Sequence, residues 1–174
     1  MRELALEPAV RTNAVIVMGV SGSGKTTIGA ALAGRLGWAF ADADDYHPAA
    51  NREKMSRGIP LTDEDRAPWL LTLHELIAEH VRQERPLVLA CSALKERYRH
   101  TLIGELPGVR VVFAQGSREL IAERMSARQH FMPVALLDSQ LAALEPPEDA
   151  LTADIRQPLE EIVRLLAAEL ADPA

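Results

Sequence analysis

Gly19-Val20-Ser21-Gly22-Ser23-Gly24-Lys25-Thr26 satisfies the pattern G-x-x-x-x-G-K-[ST], and its flanks decide what the match means. Ahead of it runs Ala14-Val15-Ile16-Val17-Met18, an apolar run of buried-strand type, and behind it Ile28, Leu32 and Leu36 recur at helical spacing. Strand, glycine loop and helix, in that order, is the context in which this pattern binds phosphate. Glycines let backbone N–H groups converge on an anion, and the helix that opens near Lys25 adds the positive end of its dipole. Gly19, Ser21, Gly22, Ser23, Gly24, Lys25, Thr26 and Thr27 are therefore the candidate nucleotide-phosphate site. Within it Lys25 reaches the β- and γ-phosphates as a catalytic charge, and the Thr26 hydroxyl serves Mg²⁺.

From the loop onward, strand-like and helix-like segments alternate to the C-terminus, which reads as an α/β chain with a mainly parallel sheet. Strands are expected near Ala14–Met18, Ala39–Asp42, Pro86–Ala90, Arg110–Ala114 and Leu151–Asp154. Leu70, Leu73, Ile77 and Val81 form one helical stripe, and Leu159, Ile162, Val163, Leu166 and Leu170 another; both are read as core. With 174 residues, the length favours one domain, expected over 14–174. The segment 1–13 is expected to be a loose leader: it has charges of both signs and Pro8 but no long apolar centre, unlike a signal peptide. An apolar share of 48% excludes a disordered chain, while no apolar run reaches membrane-spanning length. Cys91 is the single cysteine, so no intrachain disulfide can form and a cytoplasmic location is expected. A net charge of −6 argues against nucleic acid as principal partner but not against small anions, which a few focused cations can hold.

Two intervals interrupt the alternation. Residues 47–68 are charged and punctuated by Pro48, Gly58, Pro60 and Pro68; residues 124–133 carry Arg124, Arg128 and His130 and end at Pro133. Because ligands bind outside the carboxyl ends of parallel strands, the first is the candidate acceptor-binding insertion and the second a candidate lid. Asp42-Ala43-Asp44-Asp45-Tyr46-His47-Pro48 follows the second strand, so its carboxylates emerge at the same edge as the glycine loop. One can hold Mg²⁺ through water and another can orient an acceptor hydroxyl, or the turn is merely solvated, the reading preferred for Asp45. Lys54, Arg57 and Arg66 are either a solvated face or recognise an anionic acceptor; His47 either donates to an acceptor oxygen or caps the next helix. Ser92 and Lys95 follow the third strand, where the small residues Cys91 and Ala93 permit close approach of a ligand. Cys91 itself is read as a buried small residue. Arg124 and Arg128 lie one helical turn apart, an arrangement suited to transition-state charge in phosphoryl transfer.

Taken together, these motifs place the chain close to one known group: from about Val15 to Pro158 it resembles the P-loop gluconokinases, relatives of the shikimate and adenylate kinases. The likeness rests on Gly19–Thr26, on Asp42-Ala43-Asp44 with His47-Pro48, and on Asn51 with Lys54-Met55. It continues through Gly58–Leu70, Ala90–Lys95, His130–Pro133, Leu136–Gln140 and Leu144–Pro147. The resemblance implies a five-stranded sheet of order 2-3-1-4-5 with helices on both faces, a lid and a homodimer. It also implies Mg²⁺-dependent transfer of phosphate from ATP to the 6-hydroxyl of D-gluconate, giving 6-phospho-D-gluconate and ADP. Carried over by motif position, Asp44 stands near the acceptor hydroxyl as a catalytic residue and Asp42 in the Mg²⁺ shell. His47, Lys54, Arg66, Ser92 and Lys95 become acceptor-site residues. Arg124 and Arg128 become lid or phosphate residues, Arg128 catalytic, and Gln157-Pro158 an adenine contact. Ala43 stands where glycine is common, and Thr26 replaces the commoner serine while keeping the hydroxyl. The alternatives are a nucleotide-dependent switch or a kinase of another small hydroxylated acid such as shikimate. Against shikimate, Cys91-Ser92-Ala93 replaces the glycine-rich turn expected after the third strand.

Overall fold

Ala14, Ile16 and Met18 point to one side of the first strand and Val15 and Val17 to the other, and all five are buried. A strand apolar on both faces belongs in the middle of a covered parallel sheet. The computed structural model, which describes residues 10–127 and 134–171, places it there. The strands are β1 (Ala14–Met18), β2 (Ala39–Asp42), β3 (Leu87–Ala90), β4 (Val109–Gln115) and β5 (Ala150–Asp154), all parallel, in the order β2-β3-β1-β4-β5. The helices are α1 (Lys25–Leu36), α2 (Ala49–Ser56), α3 (Asp63–Arg82), α4 (Glu96–Ile103), α5 (Arg118–Ala127), α6 (Val134–Ala143) and α7 (Leu159–Ala171). A short 3₁₀ turn covers Ala43–Tyr46.

The two faces of the sheet build two cores. Val15, Val17, Val88 and Val112 pack with Ile28 and Leu32 of α1, Ile121 of α5, Leu137 of α6 and Ile162 and Leu166 of α7. Ile16, Met18, Leu89 and Phe113 pack with Trp69, Leu73 and Ile77 of α3 and Tyr98 and Leu102 of α4. Each fully buried aliphatic side chain contributes about 1.5–3 kcal/mol, so this layered burial carries the fold.

Strand positions agree with the sequence to within two residues at each end. The larger difference lies at α3. Pro68 reads as punctuation, yet the helix starts five residues earlier, at Asp63. Thr62 is its N-cap: Asp65 N–H donates to Thr62 Oγ1 (3.1 Å), and Thr62 N–H donates to Asp65 Oδ2 (2.9 Å). This capping box satisfies two orphan donors of the first turn, and Pro68 is accommodated within the helix. Of the expected leader, Thr12 is buried and Asn13 N–H donates to Gly108 O (2.7 Å), so packing starts before Ala14. Residues 1–9 and 128–133 lie outside the described residues, Arg128 and most of the expected lid among them. Arg124–Ala127, the start of that interval, are the last turn of α5. Among the described residues, no helix is long and apolar enough to cross a membrane.

Candidate active site

The ends of β2, β3 and β1 are level: Asp42 pairs in register with Ala90, and Ala90 with Val17. The acidic turn, the Cys91–Lys95 loop and the glycine loop therefore leave the sheet at one edge, beside β1, where the strand order reverses.

The glycine loop is shaped by close packing. A Cβ on Gly19 would lie 2.6 Å from Ser23 Oγ, and Gly22, at φ +82°, would set a Cβ 2.5 Å from Met125 Cγ. Neither position has room for a side chain. Helix α1 has Gly24 as N-cap and no side-chain cap, so its first N–H groups stay available to an anion. Burial pulls the Lys25 pKa below its ordinary value, with the Asp44 carboxylate the strongest opposing influence. Thr26 Oγ1 donates to Asp42 Oδ2 (2.8 Å), which brings two hard oxygen donors together next to the loop. Asp42 also accepts from Asp44 N–H (2.9 Å) and so caps the 3₁₀ turn that carries Asp44 outward, exposed. Among the described residues no three or more His, Cys, Asp or Glu side chains form a metal cage. Thr26 with Asp42 nevertheless suits Mg²⁺, which takes one or two protein oxygens together with substrate phosphates.

On the acceptor side, Trp69 is the organising residue. Its Nε1 donates to Ala43 O (2.8 Å) and its ring stacks on His47 with centroids 4.2 Å apart, fixing the acidic turn and the imidazole together. Asn51 Nδ2 donates to Asp65 O (2.9 Å) and approaches His47 Nδ1 (3.3 Å); this makes Nδ1 the acceptor and leaves the proton on Nε2. Burial pushes the His47 pKa down, which keeps that neutral donor form at pH 7. Arg66, Lys95 and Arg97 surround the Tyr98 ring at 5.7, 5.7 and 5.5 Å. Asp63 is the counter-charge: it pairs with Arg97, accepts from the Tyr98 hydroxyl and lies 3.8 Å from Lys95. Lys54 is already engaged by Asp65 (2.8 Å). Arg57 is solvent-exposed beside Glu53, the solvated alternative of the sequence reading.

Ser92 is half-buried and its carbonyl accepts from Gly19 N–H (3.4 Å), joining the two loops. The next residue, Ala93, is held at φ +44°, a strained conformation for a side-chain-bearing residue. Buried Arg99 secures it: Nη1 donates to Ala93 O (2.7 Å) and Leu94 O (3.2 Å), and Nη2 to Glu145 O (2.8 Å). Cys91 is buried, and desolvation pushes its thiol up to about 12, as expected for a packing residue. On the nucleotide side, Arg124 donates to Ile155 O, and Gln157 Oε1 is buried without a partner among the described residues. Thr27 follows on the exposed first turn of α1.

A family model described as an AAA domain matches residues 15–147. A gluconokinase of Gluconobacter oxydans is 45% identical, covering 97% of this chain and 99% of that protein. The chain belongs to the gluconokinase family. A thermosensitive gluconokinase of Escherichia coli is 49% identical over 76% of this chain and 72% of its own length. The crystal structure of a gluconokinase from Sinorhizobium meliloti superposes with TM-score 0.83 at 47% identity, covering 92% of this chain and 93% of that one. An APS kinase of Mycobacterium tuberculosis, at 16% identity and TM-score 0.68, shares the fold alone.

Within this gluconokinase-family fold, the structure brings together Lys25, Thr26, Asp42, Asp44, His47, Ser92 and Lys95 at one edge. Sequence reasoning did not single out Trp69, Tyr98, Asp63, Arg99 or Gln140 as site residues. Thr62-x-x-Asp65, a capping signal, was the one local clue, since it places Asp63 and Arg66 on the first turn of α3. The others depend on contacts between distant segments.

Proposed function

We propose that this chain catalyses transfer of the γ-phosphoryl group of ATP to the 6-hydroxyl of D-gluconate. The likeness to gluconokinases over nearly the whole chain carries the choice of acceptor. The site chemistry supports it: an aldonate needs a cationic wall for its carboxylate and polar groups for its hydroxyls, and Arg66 and Lys95 with His47 and Ser92 offer both.

Asp44, outward on its capped turn, accepts a hydrogen bond from the 6-hydroxyl, aligns that oxygen on the γ-phosphorus and takes up its proton late in transfer. The oxygen–phosphorus bond forms as the bond to the β-phosphate bridge breaks, and ADP leaves. Lys25 balances charge on the β- and γ-phosphates in a partly desolvated position, where its field is weakly screened. Mg²⁺, when bound by Thr26 and Asp42, neutralises phosphate charge. Gln157 and Pro158 face the adenine in this reading, with the Gln157 Oε1 ready to accept from an exocyclic amine. In this reading Arg124 steadies that loop, Arg128, which lies outside the described residues, supplies positive charge to the transferring phosphoryl group, and the active species is a homodimer.

In an assay that couples ADP release to NADH oxidation, D-gluconate with ATP and Mg²⁺ gives strong turnover, and shikimate and AMP give little. Comparable rates with AMP or shikimate would remove the gluconate assignment.

A further inference from the structure

Gln140 lies on α6, 119 residues from Ser21 of the phosphate loop, yet the two are joined twice. Ser21 N–H donates to Gln140 Oε1 (2.6 Å), and Gln140 Nε2 donates to Ser21 Oγ (3.0 Å). The two ends of one amide thus hold the main chain and the side chain of a single loop residue, a pairing that fixes both the amide orientation and the Ser21 hydroxyl. Helix α6 is a firm base for this grip: Leu137 is fully buried, and Asp138 receives a two-pronged ion pair from Arg118 of α5 (2.6 and 3.1 Å).

The grip also sorts the loop's donors. Gly19 N–H is taken by Ser92 O, Ser23 N–H by Val20 O and Ser21 N–H by Gln140, while those of Gly22, Gly24 and Lys25 have no protein partner among the described residues. The loop is therefore held from its flank, and the donors near the start of α1 are left for an anion.

We propose that Gln140 is a positioning residue for the phosphate loop, clamping Ser21 so that the loop keeps its phosphate-receiving shape, and that nucleotide affinity rather than acceptor binding depends on it. The proposal rests on the reading of this loop as the nucleotide site and does not depend on which acceptor is used. Gln140→Met keeps length and helix preference but can make neither hydrogen bond.

Calorimetric titration with MgADP tests it on the full chain. Losing both bonds is expected to weaken ADP binding about tenfold, with the KM for ATP rising in parallel, kcat within about threefold and the KM for gluconate unchanged. Ser21→Ala, which removes only the hydroxyl half, weakens ADP less, and adding it to Gln140→Met adds little, since the contact is already lost. A Gln140→Met protein with wild-type ADP affinity overturns the proposal. So do equal rises in both KM values, or additive effects of the two substitutions, because each indicates general structural damage. If Gln140→Met does not fold, Ser21→Ala decides alone, and unchanged ADP affinity in that variant overturns the clamp. Failure of the gluconate reading has a separate signature: ADP binds normally while gluconate is not turned over.

Discussion

Lys25 owes part of its charge to Asp44 at the end of the sheet: burial favours loss of the Lys25 proton, and the Asp44 carboxylate is the main influence opposing it. Lys25→Ala removes the charge that balances the phosphates, so kcat is expected to fall at least about a hundredfold while the fold persists. Asp44→Asn keeps size but cannot receive the hydroxyl proton, and a fall of about 10²-fold in kcat with little change in ADP affinity is expected. Rates for Asp42→Asn measured alongside separate the two carboxylates. If Asp44→Asn keeps full kcat while Asp42→Asn does not, the roles are exchanged.

Helix α3 is the element whose start governs the acceptor side, because Asp63, Arg66 and Trp69 all ride on its first two turns. Asp65 serves it twice, closing the capping box and pairing with Lys54. Hydrogen bonding from Lys54, with Thr62 assisting, holds the Asp65 pKa down to about 2. A depressed carboxylate pKa means that this stabilisation is complete above the ordinary value of 3.8 and is lost as pH falls from about 4 through about 2. Thr62→Ala removes the cap and costs about 1 kcal/mol, read as a lower urea midpoint at neutral pH. The same comparison for Asp65→Asn has a pH signature: the deficit relative to wild type shrinks in acid. A deficit that stays constant from pH 6 to pH 2.5 counts against Asp65 as the titrating group. The start of α3 was legible in Thr62-x-x-Asp65 but was masked by Pro68, which breaks helices in their middle far more than near their start. The strands and the glycine loop were legible because period and motif are local. The grips of Arg99 on Ala93 and of Gln140 on Ser21 were not, because they join segments that only the folded sheet brings together.

At the scale of the whole molecule, the sheet gathers every loop of the site at one edge and seals the rest between two apolar layers. Cys91 sits at the junction of those two regions, buried where β3 gives way to the acceptor loop, with its N–H donating to Val17 O (3.0 Å). As the single sulfhydryl of the chain, it is a reporter built into the middle of the protein. A disulfide reagent such as Ellman's reagent reaches it only when the sheet opens, and its raised pKa leaves little thiolate even then until the site is wet. Labelling is therefore expected to be negligible in native buffer and to rise with urea in step with loss of the far-UV circular dichroism. Nucleotide at about 100 times its Kd should slow labelling about a hundredfold, because opening must first release the ligand. Rapid labelling of the native, ligand-free chain would mean that the central strands part more easily than their burial implies. One unmodified cysteine thus lets the opening of the catalytic edge be timed with no engineered probe.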